Sequence, residues 1–158
     1  MNTRLLFEGS TASPEDTEDL AGRLYREFLA GRSQVMLLLD GELGAGKTCF
    51  VRGLAEPLGI NETVNSPTFN LLNEYHGRSG ELWHYDLYRL GSERELEELD
   101  FPERWSGRLA PSGCAIVHAV EWWQRAGGYL KDMPAFRLEL LLPETHSEER
   151  RVRFYSNA

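Results

Sequence analysis

The chain has 158 residues, 41% of them hydrophobic, with 17 basic and 25 acidic side chains giving a net charge of -8 and a pI near 5.0. A chain of this size builds one core and not two, and its acidity, with no basic run to displace counterions from a phosphate backbone, excludes unassisted binding to nucleic acid. No run reaches the roughly 18 apolar residues of a membrane span, no basic segment leads into an apolar one at the N-terminus, and Cys49 and Cys114 have neither CxxC nor metal-ligand spacing. The composition therefore predicts a soluble cytoplasmic domain with buried, reduced thiols.

Residues 4–8 predict a short first strand. Ser13, Pro14, Glu15 and Asp16 then supply an N-cap, a proline at the first helical position and acids in the first turn. Leu20, Leu24 and Phe28 recur at spacing four until Gly31 stops the helix. The apolar run at 35–40 reads as a buried parallel strand. It leads into Gly41-Glu42-Leu43-Gly44-Ala45-Gly46-Lys47-Thr48, the spacing of a phosphate-binding loop.

That spacing serves nucleotide phosphates for stated reasons. Three glycines let backbone N–H groups turn inward where a Cβ would collide. Lys47 carries a compact positive charge toward the β and γ phosphates, and the Thr48 hydroxyl can ligate a bridging Mg2+. A helix opening at Thr48, with Phe50, Val51, Leu54, Ala55 and Leu58 on its apolar face and ended by Pro57 and Gly59, aims its positive end at the same anion. The expected phosphate contacts are Glu42, Leu43, Gly44, Ala45, Gly46, Lys47, Thr48 and Cys49. Only Lys47 and Lys131 among the basic residues are lysines, so an arginine-using chain keeps lysine where a small ammonium suits phosphate.

Further on, alternation over 69–75 predicts a strand that turns at 76–80 into a second one at 81–87, an antiparallel hairpin. A capped helix is expected from Ser92 to about Leu99, with Leu96 and Leu99 on one face and Glu93, Glu95, Glu97 and Glu98 solvated. Residues 114–120 form a core strand ending at Glu121, and a helix can begin at Trp122. Residues 135–142 and 150–155 pair across a loop at 143–149 as a C-terminal hairpin. The predicted fold is a single three-layer α/β domain with a mixed, mostly parallel central sheet and antiparallel hairpins.

Hydrolysis needs carboxylates at the end of a neighbouring strand to place metal and water. Asp86 and Glu121 each close an apolar strand and are the candidates for both roles. Each has a bland alternative: Asp86 as a turn residue paired with Arg89, and Glu121 as a helix cap. Thr68, behind a proline that keeps Ser66 extended, is a candidate to touch the γ phosphate or metal, or else a strand-start hydroxyl satisfying backbone. Arg89 can neutralise phosphate charge or pair with Asp86. Trp122 can stack on the base or pack in the core, with core packing preferred. His118 reads as a satisfied core histidine. His84 either orients the loop at Asp86 or acts directly.

Taken together, Gly41 to Thr48, Asn65-Ser66-Pro67-Thr68-Phe69, His84-Tyr85-Asp86-Leu87-Tyr88-Arg89-Leu90 and Glu121-Trp122, in this order, resemble the TsaE (YjeE) family. Its members are small bacterial P-loop ATPases that assist formation of N6-threonylcarbamoyladenosine in tRNA. The resemblance spans roughly residues 33 to 125. It implies ATP and Mg2+ as cofactors, Thr48, Asp86 and Glu121 serving metal or water, and a nucleotide-sensing loop at Ser66 to Phe69. It also implies TsaD-like and TsaB-like partners, with tRNA met only through them. The chain departs from the family pattern at Cys49, where a second threonine is usual, and at Trp123 and Gln124, where proline and an acid are frequent.

Two other classes compete. A small-molecule kinase needs an arginine-bearing lid, for which Arg104 and Arg108 in the loop 101–111 are the only material. A guanine-nucleotide switch needs an Asn/Thr-Lys-x-Asp motif, and neither lysine lies in one.

Overall fold

The structure, a computed structural model, describes residues 3–108, 113–145 and 147–157. Seven strands form one sheet: β1 (Arg4–Thr11), β2 (Gln34–Gly41), β3 (Leu72–His76), β4 (Glu81–Asp86), β5 (Ile116–Glu121), β6 (Phe136–Leu141) and β7 (Arg150–Ser156). Their spatial order is β1-β7-β6-β2-β5-β4-β3. The four middle strands run parallel, while β3–β4, β6–β7 and β1–β7 are antiparallel. Parallel and antiparallel pairings are therefore equal in number, and the parallel ones are confined to the centre. The two expected hairpins are present.

The chain alternates residues between the two faces of this sheet. On one, Val35, Leu37 and Leu39 of β2 join Val117 and Ala119 of β5, Phe136 and Leu138 of β6, and Val152 and Phe154 of β7. Helix α1 (Pro14–Leu24) covers this face together with α2 (Lys47–Gly53) and α3 (Ala55–Leu58). The Ser13 side chain caps α1 by accepting from the Asp16 N–H, and the helix runs on into a π-helical turn, Tyr25–Leu29. The opposite face buries Met36, Leu38, Trp83, Tyr85, Ile116 and Val120 beneath α4 (Glu93–Glu98), α5 (Phe101–Trp105) and α6 (Gly128–Lys131). Among the described residues no helix is long and apolar enough to cross a membrane.

Several expectations are corrected. The helix after the phosphate loop opens at Lys47, not Thr48, and turns at Leu54 into α3; Pro57 lies inside α3, and Gly59, at φ 72, ends it. Phe69 and Leu71 are not in β3. The Asn70 and Leu71 N–H groups both bond the Pro67 carbonyl, and Leu71 takes a φ of 62, so turn chemistry overrides the alternation. Leu99 is 39% exposed while Leu96 is buried. The expected lid begins as α5, whose Phe101 and Trp105 are core residues; Pro111, at its far end, lies outside the described residues. Arg104 pairs with Glu74 and lies over the Trp83 ring, which commits it to packing. Cys49 and Cys114 are free thiols, half-buried and not fully enclosed.

Candidate active site

The parallel register aligns the site. Asp86 and Glu121 are register partners at the carboxyl ends of β4 and β5, and Leu39 of β2 is the next partner of Glu121. Both carboxylates therefore project from the edge of the sheet onto which the glycine-rich loop opens, on the face that α2 covers. Both are 5% exposed.

The loop's glycines divide their reasons. At Gly41 a Cβ would come within 3.0 Å of the Leu140 carbonyl and 3.1 Å of the Ala45 Cβ. Gly44 has open space around it and a Cβ at Gly46 would meet only Leu140 Cδ1 at 4.0 Å, but the two take φ values of 82 and 103, a region that side chains rarely adopt. Conformation, more than crowding within the chain, selects glycine at those two positions. Ala45 is fully buried and its N–H closes the turn on the Glu42 carbonyl at 3.0 Å. Leu43 is 99% exposed at the tip; Thr48 and Cys49 are half-buried.

Lys47 and Glu121 meet here. Lys47 Nζ donates to the Gly41 carbonyl at 2.8 Å and lies 3.6 Å from Glu121 Oε1. The other carboxylate oxygen of Glu121 is 2.7 Å from His84 Nε2. Burial acts to raise the Glu121 carboxyl, but the His84 hydrogen bond and the Lys47 charge outweigh it and hold the group below the usual carboxylate range. Glu121 is thus an ionised, positioned acceptor, and a helix-capping role is not what it has. His84 holds Glu121, whereas the sequence reading connected it with Asp86.

Asp86 forms a second cluster. Thr68 Oγ1 donates to Asp86 Oδ2 at 3.2 Å and shares a 2.8 Å hydrogen bond with Ser66 Oγ, while the Tyr88 N–H bonds Asp86 Oδ1 at 3.0 Å. This ties the Ser66–Phe69 loop to the end of β4. Arg89 does not pair with Asp86; its guanidinium lies over the exposed Phe69 ring, 4.5 Å from the centroid. Trp122 is corrected as well. It is 43% exposed with a φ of 56, lies against Tyr88 at 5.0 Å between centroids, and has Lys47 Nζ 5.7 Å from its ring centre. It stands at the mouth of the site and not in the core.

A cleft of about 1470 Å³ opens beside the loop, lined in part by Asp40, Gly41, Thr68, Asp86, Trp122 and Arg150. The family departures at Trp123 and Gln124 rebuild its rim. Both donate to Asp40 Oδ1, at 3.1 and 3.0 Å, and Arg137 Nε donates to Asp40 Oδ2 at 2.5 Å. Arg150 is the residue that motif reading misses. A period-two signal marks it: along β7 it is in phase with the buried Val152 and Phe154, whereas Arg151 and Arg153 point the other way.

His118 is enclosed on the opposite face, with Tyr85 Oη at 2.9 Å from Nδ1 and Gln34 Oε1 at 2.8 Å from Nε2. It is the satisfied core histidine that the sequence predicts.

Comparison with known proteins adds an independent observation. A family model described as "Threonylcarbamoyl adenosine biosynthesis protein TsaE" matches residues 11–152. A Bacillus subtilis protein named tRNA threonylcarbamoyladenosine biosynthesis protein TsaE is 37% identical over 147 residues, covering 91% of this chain and 82% of that protein. A Synechocystis protein of the same name is 47% identical over 91 residues, 57% of this chain and 55% of its own length. A crystal structure of Bacillus subtilis YdiB superposes with a TM-score of 0.72 at 29% identity, covering all of this chain and 89% of the other.

Proposed function

Because the chain belongs to the TsaE family, we propose that it binds and slowly hydrolyses ATP in support of N6-threonylcarbamoyladenosine formation in tRNA, acting with TsaD-like and TsaB-like partners. The observation that carries the nucleotide part is the convergence of Lys47 with Glu121 at the mouth of a glycine loop, with Asp86 one strand away.

In this reading the phosphates lie against the loop, and Lys47 exchanges its present contacts for them. The donor chemistry suits Mg2+, since Thr48 and Asp86 offer hard oxygens. Such an ion would be held jointly by phosphates and one or two protein oxygens. Mg2+ would neutralise phosphate charge there. Glu121, kept ionised and oriented by His84, is placed to hold a water for attack on the γ phosphate. Thr68, bonded to Asp86, reports through the Ser66–Phe69 loop whether that phosphate is present. Among the described residues Arg89 lies over Phe69 and the cleft-lining Arg137 and Arg150 are bonded to Asp40 and to loop carbonyls, so no unambiguous arginine finger is offered. Intrinsic turnover is accordingly slow. The net charge of -8 supports a division of labour in which the partners hold the tRNA.

Reconstitution of tRNA modification with TsaB-like and TsaD-like proteins tests this. Multiple-turnover modification is expected with the unaltered chain and is expected to disappear with Lys47→Ala, while calorimetry shows ATP–Mg2+ binding lost in that variant. Hydrolysis by the isolated chain on the order of ten per second or faster would contradict the slow intrinsic step, and tight tRNA binding by the isolated chain at physiological salt would contradict the division of labour.

A further inference from the structure

We propose that Arg150 is the positioning residue of the phosphate loop, the guanidinium through which Ser147 and Glu149 set how tightly that loop grips nucleotide phosphates. The proposal rests on the ATP-binding reading above. Arg150, the first residue of β7, sends Nε to the Ala45 carbonyl at 3.1 Å and Nη2 to the Gly44 carbonyl at 3.3 Å. Its Nη1 bonds the Ser147 and Glu149 carbonyls, both at 2.9 Å. Every one of these acceptors is backbone, so one side chain joins the phosphate loop to the segment that precedes β7.

The consequence follows from peptide geometry. No peptide bond among the described residues is cis, and in a trans peptide the N–H points opposite to the C=O. Holding the Gly44 and Ala45 carbonyls toward β7 therefore turns the Ala45 and Gly46 N–H groups the other way. The Ala45 N–H is taken by the Glu42 carbonyl at 3.0 Å and closes the turn. The Gly46 N–H, opposite the Ala45 carbonyl in its trans peptide, faces away from Arg150. Within the loop the Ala45 N–H and Lys47 Nζ bond the Glu42 and Gly41 carbonyls; Gly44 and Gly46, at φ 82 and 103, add no side chains, and the Gly44 and Ala45 carbonyls take their side-chain restraint from Arg150. Arginine suits the task because its planar donors form a fixed fork that reaches several carbonyls at once; a lysine ammonium is a point charge without that fork.

Calorimetry with ADP–Mg2+ and ATP–Mg2+, together with steady-state hydrolysis, on the full chain and its Arg150→Lys and Arg150→Met variants tests the proposal. Both variants are expected to bind nucleotide roughly tenfold more weakly, with kcat at saturating ATP held within roughly twofold. Affinity unchanged in both overturns the proposal. Full affinity in Arg150→Lys also overturns it, since charge alone would then suffice, and a loss of kcat at saturation would place Arg150 in the reaction itself. Should the unaltered chain bind no nucleotide, the functional reading fails instead, and Arg150 is then judged by hydrogen exchange at the Ala45 amide. That exchange is expected to accelerate severalfold in Arg150→Lys; an unchanged rate rejects the positioning role.

Discussion

His84 and His118 lie on adjacent strands, 0% and 1% exposed, on opposite faces of the same sheet. Burial does not distinguish them; their partners do. His118 has a partner on each ring nitrogen, Tyr85 and Gln34, and lies edge-on to Trp83 and stacked on Tyr85. Its hydrogen bonds run to the buried Tyr85 and to the half-buried Gln34 at the start of β2. His84 has one partner, the Glu121 carboxylate, and its Nδ1 has none among the described residues. A carboxylate can only accept, so the proton of a neutral His84 sits on Nε2. The ring holds an acid that also faces Lys47. One face of the sheet uses a histidine to complete packing, and the other uses one to aim a carboxylate.

The comparison breaks most sharply at Glu121. Glu121→Gln keeps the shape of the side chain and removes its charge. Turnover at saturating ATP is expected to fall by roughly a hundredfold or more, with nucleotide affinity retained within a few-fold. His84→Gln, which removes the imidazole that aims Glu121 and helps keep it ionised, should cost roughly tenfold. His118→Gln should leave turnover within about twofold, because its partners are packing groups. Steady-state ADP release measures all three. Equal losses from His84→Gln and His118→Gln would show that the two faces do not divide the work in this way.

The two faces also differ in how they respond to acid. Burial, helped by the Arg104 charge, pushes the His118 imidazole down from 6.5 to about 3. Between those values the unfolded chain binds a proton that the folded chain refuses, so stability falls as the pH drops through that window and is restored above 6.5. The contribution is on the order of a few kcal/mol over the whole span. Chemical denaturation from pH 7 down to pH 4 should therefore show a shallower loss in His118→Gln than in the unaltered chain. Glu121 has the opposite kind of shift: its ionised form is favoured on folding, so its contribution persists until the pH drops below the ordinary carboxylate value of 4.5. Parallel acid limbs in the two proteins would mean that His118 titrates normally.

Much of this arrangement is legible in the amino-acid order, and the parts that are not share a cause. The glycine-rich loop at 41–48, the Ser13 cap and the two hairpins are written in local chemistry: glycine spacing, a capping hydroxyl, alternation around a turn. The two carboxylates are legible because each closes an apolar run, and parallel register then sets them side by side. What escapes is settled by contacts between distant segments. Trp122 has the composition of a core residue, yet its φ of 56 directs it to the mouth beside Tyr88. His84 reaches Glu121, 37 positions away, instead of its near neighbour Asp86. Arg150 meets the glycine-rich loop from 105 residues further along the chain, and only its phase within β7 hints at it. The α5 helix was open to prediction, since Phe101 and Trp105 are four apart with Pro102 in the first turn; reading the segment as a lid set that spacing aside.

The smallest expected effect lies at Thr68, where the contrast becomes one between holding a carboxylate and sensing a phosphate. Thr68→Val keeps the branched shape and deletes the hydroxyl that bonds Asp86 and Ser66, while Asp86 retains the Tyr88 N–H. Losing one partly exposed hydrogen bond to a carboxylate costs about 1 kcal/mol, a fall in melting temperature of roughly 2–4 °C for a domain of this size. Thr68→Ser should recover it. If the hydroxyl serves only Asp86, ADP and ATP affinities change together. If it also meets the γ phosphate, ATP binding weakens by a few-fold more than ADP binding. The ratio of the two dissociation constants therefore separates the roles, and a ratio unmoved by Thr68→Val would remove the Ser66–Phe69 loop from phosphate sensing and leave it as a brace for β4.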